Sequence, residues 1–263
     1  MSTNKSLGQH WLKDRAMLSQ IANAAELQPS DTVLEIGPGL GTLTSELLRR
    51  AKEVVAVEFD PALAAKLPGQ FPGTALIVHH ADILQFDLAT LPAGYKVVAN
   101  VPYYITSKII ETLMTAKNKP SMAVLLVQKE VAERIAAVPG DMSILAVSAQ
   151  IFAETFLDIE VPREYFTPPP KVDSQVIILK TRQQPLVSSI DERAFFRVVK
   201  AGFSAKRKKL RSSISAGLGL TKPAAEALLH QACIDPNARA EDLSIDDWQR
   251  LAHEAGRLRH DSV

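Results

Sequence analysis

Cysteine is almost absent from this 263-residue chain: Cys233 stands alone, so no internal disulfide can form and a reducing compartment is expected. Long apolar runs are missing too. The longest strongly apolar stretch, Met122 to Val127, is six residues, far short of the ~18 to 20 that cross a bilayer. Met1 to Arg15 lacks the apolar core of a secretory signal. A cytoplasmic protein with no membrane segment is therefore expected. Of the six histidines (His10, His79, His80, His230, His253 and His260), no two have His-x-x-x-His spacing, and the adjacent pair would point to opposite faces of a strand. No metal site is expected. Repeats of about 20 to 50 residues and low-complexity tracts are also missing, which sets aside solenoids and disordered arrays.

What is present is apolar content of 46%, enough for one large domain with a small companion. The net charge of +1 hides an asymmetry. Between Glu192 and Glu226 there is no acidic residue, while Arg193, Arg197, Lys200, Lys206, Arg207, Lys208, Lys209, Arg211 and Lys222 supply nine cations. The other 21 basic residues face 29 acids, leaving −8 on the rest of the chain. Such a block is either a solvated helix face or a surface for a polyanion, and its density favours the polyanion.

Short β-rich runs alternate with helical patterns through the first two thirds. Strands are expected at Thr32 to Ile36, Val54 to Glu58, Ala75 to His79, Val97 to Asn100 and Ala123 to Val127, with helices such as Leu43 to Arg50 and Ser107 to Ala116 between them. This alternation predicts βαβ units and a parallel sheet. Ser174 to Lys180 reads as a final strand, at the edge or antiparallel. From Asp191 onward the pattern is helical, broken or capped at Gly217 to Leu220, Asp235 to Ala238 and Ser244. A polar stretch from Arg182 to Pro185 marks the expected boundary, giving domains 1–183 and 184–263.

The run Glu35-Ile36-Gly37-Pro38-Gly39-Leu40-Gly41 sits where an apolar strand meets a helix. Glycines there permit a sharp turn and close approach of a ligand to the backbone. The spacing departs from the Gly-x-Gly-x-x-Gly dinucleotide fingerprint, Pro38 lacks the N–H that pyrophosphate would use, and no Gly-Lys-Ser/Thr follows for a triphosphate. Glu58 ends the next strand, where a carboxylate accepts hydrogen bonds from both hydroxyls of a ribose. Asp60-Pro61 reads as a helix cap and first helical residue. Asp82, after the third strand, is placed to meet an adenine amino group; a surface turn or cap is the alternative.

Asn100-Val101-Pro102-Tyr103-Tyr104-Ile105 follows the fourth strand. Taken singly, these residues read as a polar turn with surface aromatics. In this order, the Asn100 carboxamide oxygen and a backbone carbonyl at the proline turn can accept both hydrogens of an exocyclic amine, with an adjacent ring stacking on the base. That combination fits adenine.

Gly37-Pro38-Gly39-Leu40-Gly41, Glu58, Asp82 and Asn100-Val101-Pro102-Tyr103 together resemble the S-adenosylmethionine-dependent ribosomal RNA adenine dimethyltransferases. The resemblance extends through Leu7-Gly8-Gln9-His10-Trp11-Leu12, Val127 to Arg134, Phe166-Thr167-Pro168-Pro169-Pro170-Lys171-Val172-Asp173-Ser174 and the basic run Phe203 to Ser213. It implies a Rossmann-like α/β catalytic domain with a small all-α C-terminal domain that binds RNA. It also implies S-adenosyl-L-methionine as cofactor: His10 and Leu12 closing over the methionine end, Gly37 touching it through the backbone, Glu58 on the ribose and Asp82 on the adenine. Asn100 and the Pro102 carbonyl would hold the target amine, and Tyr103 and Phe166 would sandwich the target base, Phe166 reading otherwise as a core aromatic.

Within that family the match looks most like the bacterial small-subunit type, acting on 16S rRNA in the 30S subunit or its precursor. The 23S rRNA resistance methyltransferases and a non-catalytic assembly factor are the alternatives, and a monomer is expected. The basic run, read as helical and anchored by Phe203 and Leu210, would present its cations along the cleft. His10-Trp11 replaces a usual Asn-Phe, Met142 to Ala146 replaces a Tyr-Gly-x-Leu-Ser pattern, and Ser212 replaces a frequent Asn.

Overall fold

The structure, a computed structural model, describes residues 10–187 and 191–260. The chain forms two compact units: residues 1–133 with 153–181, and residues 134–152 with 182–263.

The first unit is built on a seven-stranded sheet. Its strands are β2 (Thr32–Ile36), β3 (Glu53–Glu58), β4 (Leu76–His80), β5 (Lys96–Asn100), β6 (Met122–Gln128), β7 (Ala153–Val161) and β9 (Ser174–Thr181), in the order β4-β3-β2-β5-β6-β9-β7. The pairs from β4 to β6 are parallel, whereas β9 runs antiparallel to both β6 and β7. A two-residue strand β1 (Trp11–Leu12) pairs separately with β8 (Phe166–Thr167). The helices of this unit are α1 (Arg15–Ala24), α2 (Thr42–Leu48), α3 (Pro61–Gln70), α4 (Thr106–Thr115) and the start of α5 (Lys129–Ile135).

The expected parallel strands all form, with ends that move by a residue or so. Every residue of β2 is buried, as a central strand covered on both faces requires. Val33, Val54, Val98, Val124 and Val176 from five neighbouring strands meet Leu18, Ile21 and Leu47 of α1 and α2 in one core cluster. Asp60 caps α3 by accepting from Ala62 and Leu63 N–H, with Pro61 in its first turn.

Two expectations change. The strand at Ser174 is antiparallel but lies inside the sheet, because β7 pairs along its outer side. Sequence reading gave no strand over 153–161. Glu154, Asp158 and Glu160 interrupt its apolar pattern, and a register shift between Leu157 and Glu160 breaks the alternation that marks a strand.

The second unit contains α6 (Ile144–Gln150), α7 (Glu192–Gly202), α8 (Leu210–Leu218), α9 (Lys222–Gln231) and α10 (Ile245–His260). Phe195, Leu228 and Trp248, each at most 1% exposed, fill its centre. A single cut at 183/184 does not describe the division, because residues 134–152 belong with the C-terminal helices. The physical tie is backbone hydrogen bonding: Gly140 and Met142 N–H donate to Glu241 O at 2.9 and 3.1 Å, and Leu186 N–H donates to Ile151 O at 2.9 Å. Gly219 ends α8 in the left-handed conformation, while Gly217, read as a break, lies inside that helix. Ser244 and Asp247 exchange hydrogen bonds at the start of α10.

The basic run also differs from expectation. Lys206 to Lys209 lie on an irregular turn between α7 and α8 and are all exposed. Leu210 is fully buried, as an anchor should be, and Phe203 stacks on Trp248 with centroids 5.4 Å apart.

Candidate active site

The first unit carries two adjoining cavities at the carboxyl ends of its parallel strands. One is lined by His10, Leu12, Glu35, Gly37, Asn100, Pro102 and Tyr103 among others. The second is lined by Gly37, Glu58, Phe59, Asp82, Pro102 and Tyr104 among others. Gly37, Gly39 and Pro102 line both, which makes the two cavities neighbours across the glycine turn.

The glycine turn spends its donors internally. Gly37 N–H donates to Val57 O at 2.9 Å, Gly41 N–H to Pro38 O at 2.9 Å, and Gly39 N–H to Glu58 Oε2 at 3.0 Å, while Pro38 has none to give. The three glycine N–H groups are therefore not available to a phosphate. Gly37 has φ +65 and nothing within 4 Å of where a Cβ would stand, so the backbone there is open to a ligand. Gly39 is closed instead, its missing Cβ only 3.4 Å from the Trp11 indole nitrogen.

Glu58 is 6% exposed, and its two oxygens accept from Gly39 and from Asp60 N–H, the latter at 2.8 Å. Burial holds its carboxyl above the usual range, against the pull of those two N–H groups. Asp82 faces the same cavity, with Oδ1 accepting from Leu84 N–H at 3.0 Å.

Around the other cavity, His10 ties three segments together. Its Nδ1 lies 2.8 Å from Pro168 O, its carbonyl accepts from Asn100 Nδ2 at 3.2 Å, and its ring stacks on Tyr103. The Tyr103 hydroxyl is 2.6 Å from Ser174 Oγ. Pro102 O already accepts from Ile105 N–H at 3.2 Å and, more weakly, from the Thr106 hydroxyl at 3.4 Å. That leaves the Asn100 carboxamide oxygen as the freer acceptor of the two.

Phe166 corrects the expected sandwich. It is 2% exposed and sits in the core cluster, paired with Leu12 across the β1–β8 ribbon. Directly paired residues of an antiparallel ribbon project to the same face, and here that face is the core. It lines neither cavity, and the aromatic ring found against Tyr103 is that of His10.

Sequence reading passed over Glu35. It is 1% exposed, lines the first cavity, and its Oε2 has no hydrogen-bond partner among the described residues. Burial, reinforced by the charge of Glu58, pushes its pKa up to about 8. The signal was an acid inside the apolar run Val33 to Ile36. Phe59 and Tyr104, 56% and 63% exposed, were likewise missed as walls of the second cavity.

An open sheet with a turn whose glycine N–H groups are engaged internally, a carboxylate at the next strand tip and an Asn-x-Pro-Tyr segment beside them defines the methyltransferase variant of the doubly wound fold. The chain belongs to the ribosomal RNA adenine dimethylase family, whose sequence profile matches residues 1–256. Among curated relatives, ribosomal RNA small subunit methyltransferase A of Dehalococcoides mccartyi (strain CBDB1) is 43% identical over 260 residues, covering 97% of this chain and 89% of the relative. The protein of that name from Moorella thermoacetica is 41% identical over 262 residues, with coverage of 94% and 91%. A dimethyladenosine transferase structure from Plasmodium falciparum is similar at TM-score 0.80 and 27% identity, covering 94% of this chain and 98% of that one. The 23S rRNA methyltransferase ErmE is similar at TM-score 0.73 and 31% identity, covering 93% and 98%.

The protein is accordingly an S-adenosylmethionine-dependent methyltransferase. The residues present fit that cofactor. A nucleoside without phosphates has no need of the glycine N–H groups that the turn engages internally. A cationic ligand suits a cavity whose buried Glu35 oxygen lacks a partner among the described residues.

Proposed function

We propose that the protein dimethylates two adjacent adenosines in the loop of the 3′-terminal hairpin of 16S rRNA, on the 30S subunit or its precursor. It acts in the cytoplasm as a monomer. The observation that carries the chemistry is the Asn100 carboxamide: its Nδ2 donates to the His10 carbonyl, which leaves Oδ1 as its acceptor, and the residue lines the cavity that Pro102 and Tyr103 also line.

An adenine amino nitrogen is a poor nucleophile because its lone pair is delocalised into the ring. Asn100 Oδ1, assisted by the remaining capacity of Pro102 O, accepts the amine hydrogens and favours a pyramidal nitrogen with its lone pair free. Tyr103 holds the base by stacking. Bound S-adenosylmethionine supplies a methyl group already activated on a sulfonium sulfur. Gly37 would meet it through the backbone, Glu58 its ribose and Asp82 its adenine, with Leu12 and His10 closing the methionine end. No strong base is required, since the nitrogen becomes acidic only on methylation and sheds its proton to water. Extrusion of the base is least costly from a single-stranded loop, which supports a hairpin target.

Small-subunit specificity is supported by relatives of that name at 41 to 43% identity. The 31% identity to ErmE keeps a 23S target as the second reading. Transfer of labelled methyl groups to undermodified 30S subunits, to large-subunit RNA or to neither decides between them. Two methyl groups per adenosine are expected on the first. Asn100→Ala and Tyr103→Ala are expected to lose transfer by ~100-fold or more while RNA binding survives. Full turnover by both variants would overturn the chemistry.

A further inference from the structure

Ser174 closes the Phe166 to Ser174 motif, yet neither the cofactor cavity nor the target acceptors use it. It is fully buried, and its hydroxyl lies 2.6 Å from the Tyr103 hydroxyl. A buried hydroxyl must find a partner, and here the partner is the tip of the ring on which the target base stacks.

We propose that Ser174 is a positioning residue for Tyr103, fixing the tilt of that ring for the incoming adenine. The inference rests on the reading of Tyr103 as the stacking ring. Tyr103 opens a single 3-10 turn, Tyr103–Ile105, whose entry at Pro102 has no side-chain cap. The torsion that sets ring tilt in a tyrosine is broad, so backbone geometry leaves the plane of the ring loosely defined. A tether at the hydroxyl narrows it.

Ser174 is well placed to be that tether because its own backbone is held from both sides. It opens β9 between two strands, paired with Gln128 of β6 and Val161 of β7. The residue before it is pinned as well: Lys129 N–H donates to Asp173 O at 3.0 Å, and Arg163 N–H donates to Asp173 Oδ1 at 3.0 Å. The hydroxyl pair thus joins the segment after β5 to the base of the proline-rich loop. Burial raises the Tyr103 phenol above its ordinary pKa, so both partners are neutral hydroxyls over the working range of pH.

The test is a double-mutant cycle of Ser174→Ala and Tyr103→Phe in the full chain, reading kcat and KM for undermodified 30S subunits, KM for S-adenosylmethionine, and thermal melting. Each single variant is expected to lower kcat/KM for the RNA substrate by about two- to tenfold, the factor that one net hydrogen bond supplies, with KM for the cofactor unchanged. The double variant is expected to lose no more than the worse single. Factors that multiply in the double variant would overturn the proposal, as would a Ser174→Ala protein that matches wild type while Tyr103→Phe is impaired. A purely structural serine would lower the melting temperature and kcat, and its effect would persist in the Tyr103→Phe background. Should Ser174→Ala fail to fold, Ser174→Cys, which keeps the volume but donates weakly, replaces it in the same cycle. Wild-type transfer by Tyr103→Ala would remove the reading of Tyr103 itself, an outcome separable from any result at Ser174.

Discussion

The imidazole of His10 lies against the phenol ring of Tyr103, with centroids 5.8 Å apart and planes inclined by 22°. His10 also holds Asn100 through its carbonyl, so it engages the two residues proposed to hold the target adenine. An entering base must therefore displace the imidazole or share the ring with it. Ring stacking is worth about 0.5–1.5 kcal/mol, so removing the competitor should tighten base capture by roughly two- to tenfold. His10→Ala is expected to lower the Kd for an RNA hairpin carrying 2-aminopurine at the target position, followed by its fluorescence. A weaker complex would make the imidazole part of the floor on which the base sits.

Glu35 makes the molecule sensitive to alkaline pH. Burial lifts its pKa from 4.5 to about 8, so between those values the folded protein keeps a proton that the unfolded chain has released. Stability from this source is complete at acid pH and is lost as pH rises through 8. Melting temperatures should fall between about pH 5 and 8 in the wild type, level off above that, and fall less in Glu35→Gln. A cationic cofactor favours the carboxylate, so binding below pH 8 should release protons, seen as a heat that changes with the ionisation enthalpy of the buffer.

How far the chain could be read in advance depended on where local signals were strong. The parallel strands and the glycine turn were legible because buried strands read as short apolar runs between turn residues. β7 was not, since an edge strand protected by Glu154, Asp158 and Glu160 and broken by a register shift has neither run nor alternation. The placement of residues 134–152 was also hidden. It depends on hydrogen bonds from Gly140 and Met142 to Glu241, about a hundred residues away, which no local pattern encodes. In the site, Gly37, Glu58, Asp82, Asn100 and Tyr103 converge on two adjoining cavities as their strand-tip positions suggested. Phe166 did not, because the pairing of Leu12 with Phe166 turns its ring to the core.

Where α8 crosses α7 in the helical unit there is no room for an added carbon. A Cβ on Gly217 would stand 2.6 Å from the Cα of Ala201, backbone that cannot move without shifting a helix. Gly217→Ala is expected to cost about 1–3 kcal/mol, read as a lower denaturant midpoint. Gly256, inside α10, has open space where its Cβ would go. Gly256→Ala should stabilise by up to about 1 kcal/mol through helix propensity alone. Opposite signs at two glycines would separate packing from propensity.

The basic turn supplies a prediction of a different kind, about salt. Of its cations, Lys209 is engaged by Asn237 at 2.9 Å and Arg211 by Glu226 at 3.3 Å, whereas Lys206, Arg207 and Lys208 are exposed without an ion pair among the described residues. Unpaired cations on an irregular turn bind phosphates at little cost, because no internal partner has to be given up. Each phosphate neutralised adds roughly 0.7–0.9 to the slope of log K against log salt. Replacing Lys206 and Lys208 by alanine should weaken RNA binding and flatten that slope by about 1 to 2, with the melting temperature unchanged because neither side chain packs. The same double change at Lys209 and Arg211 should flatten it less, since those two already have neutral or anionic neighbours. Equal flattening by both pairs would mean that phosphate contact is spread over the whole run and is not concentrated on the turn.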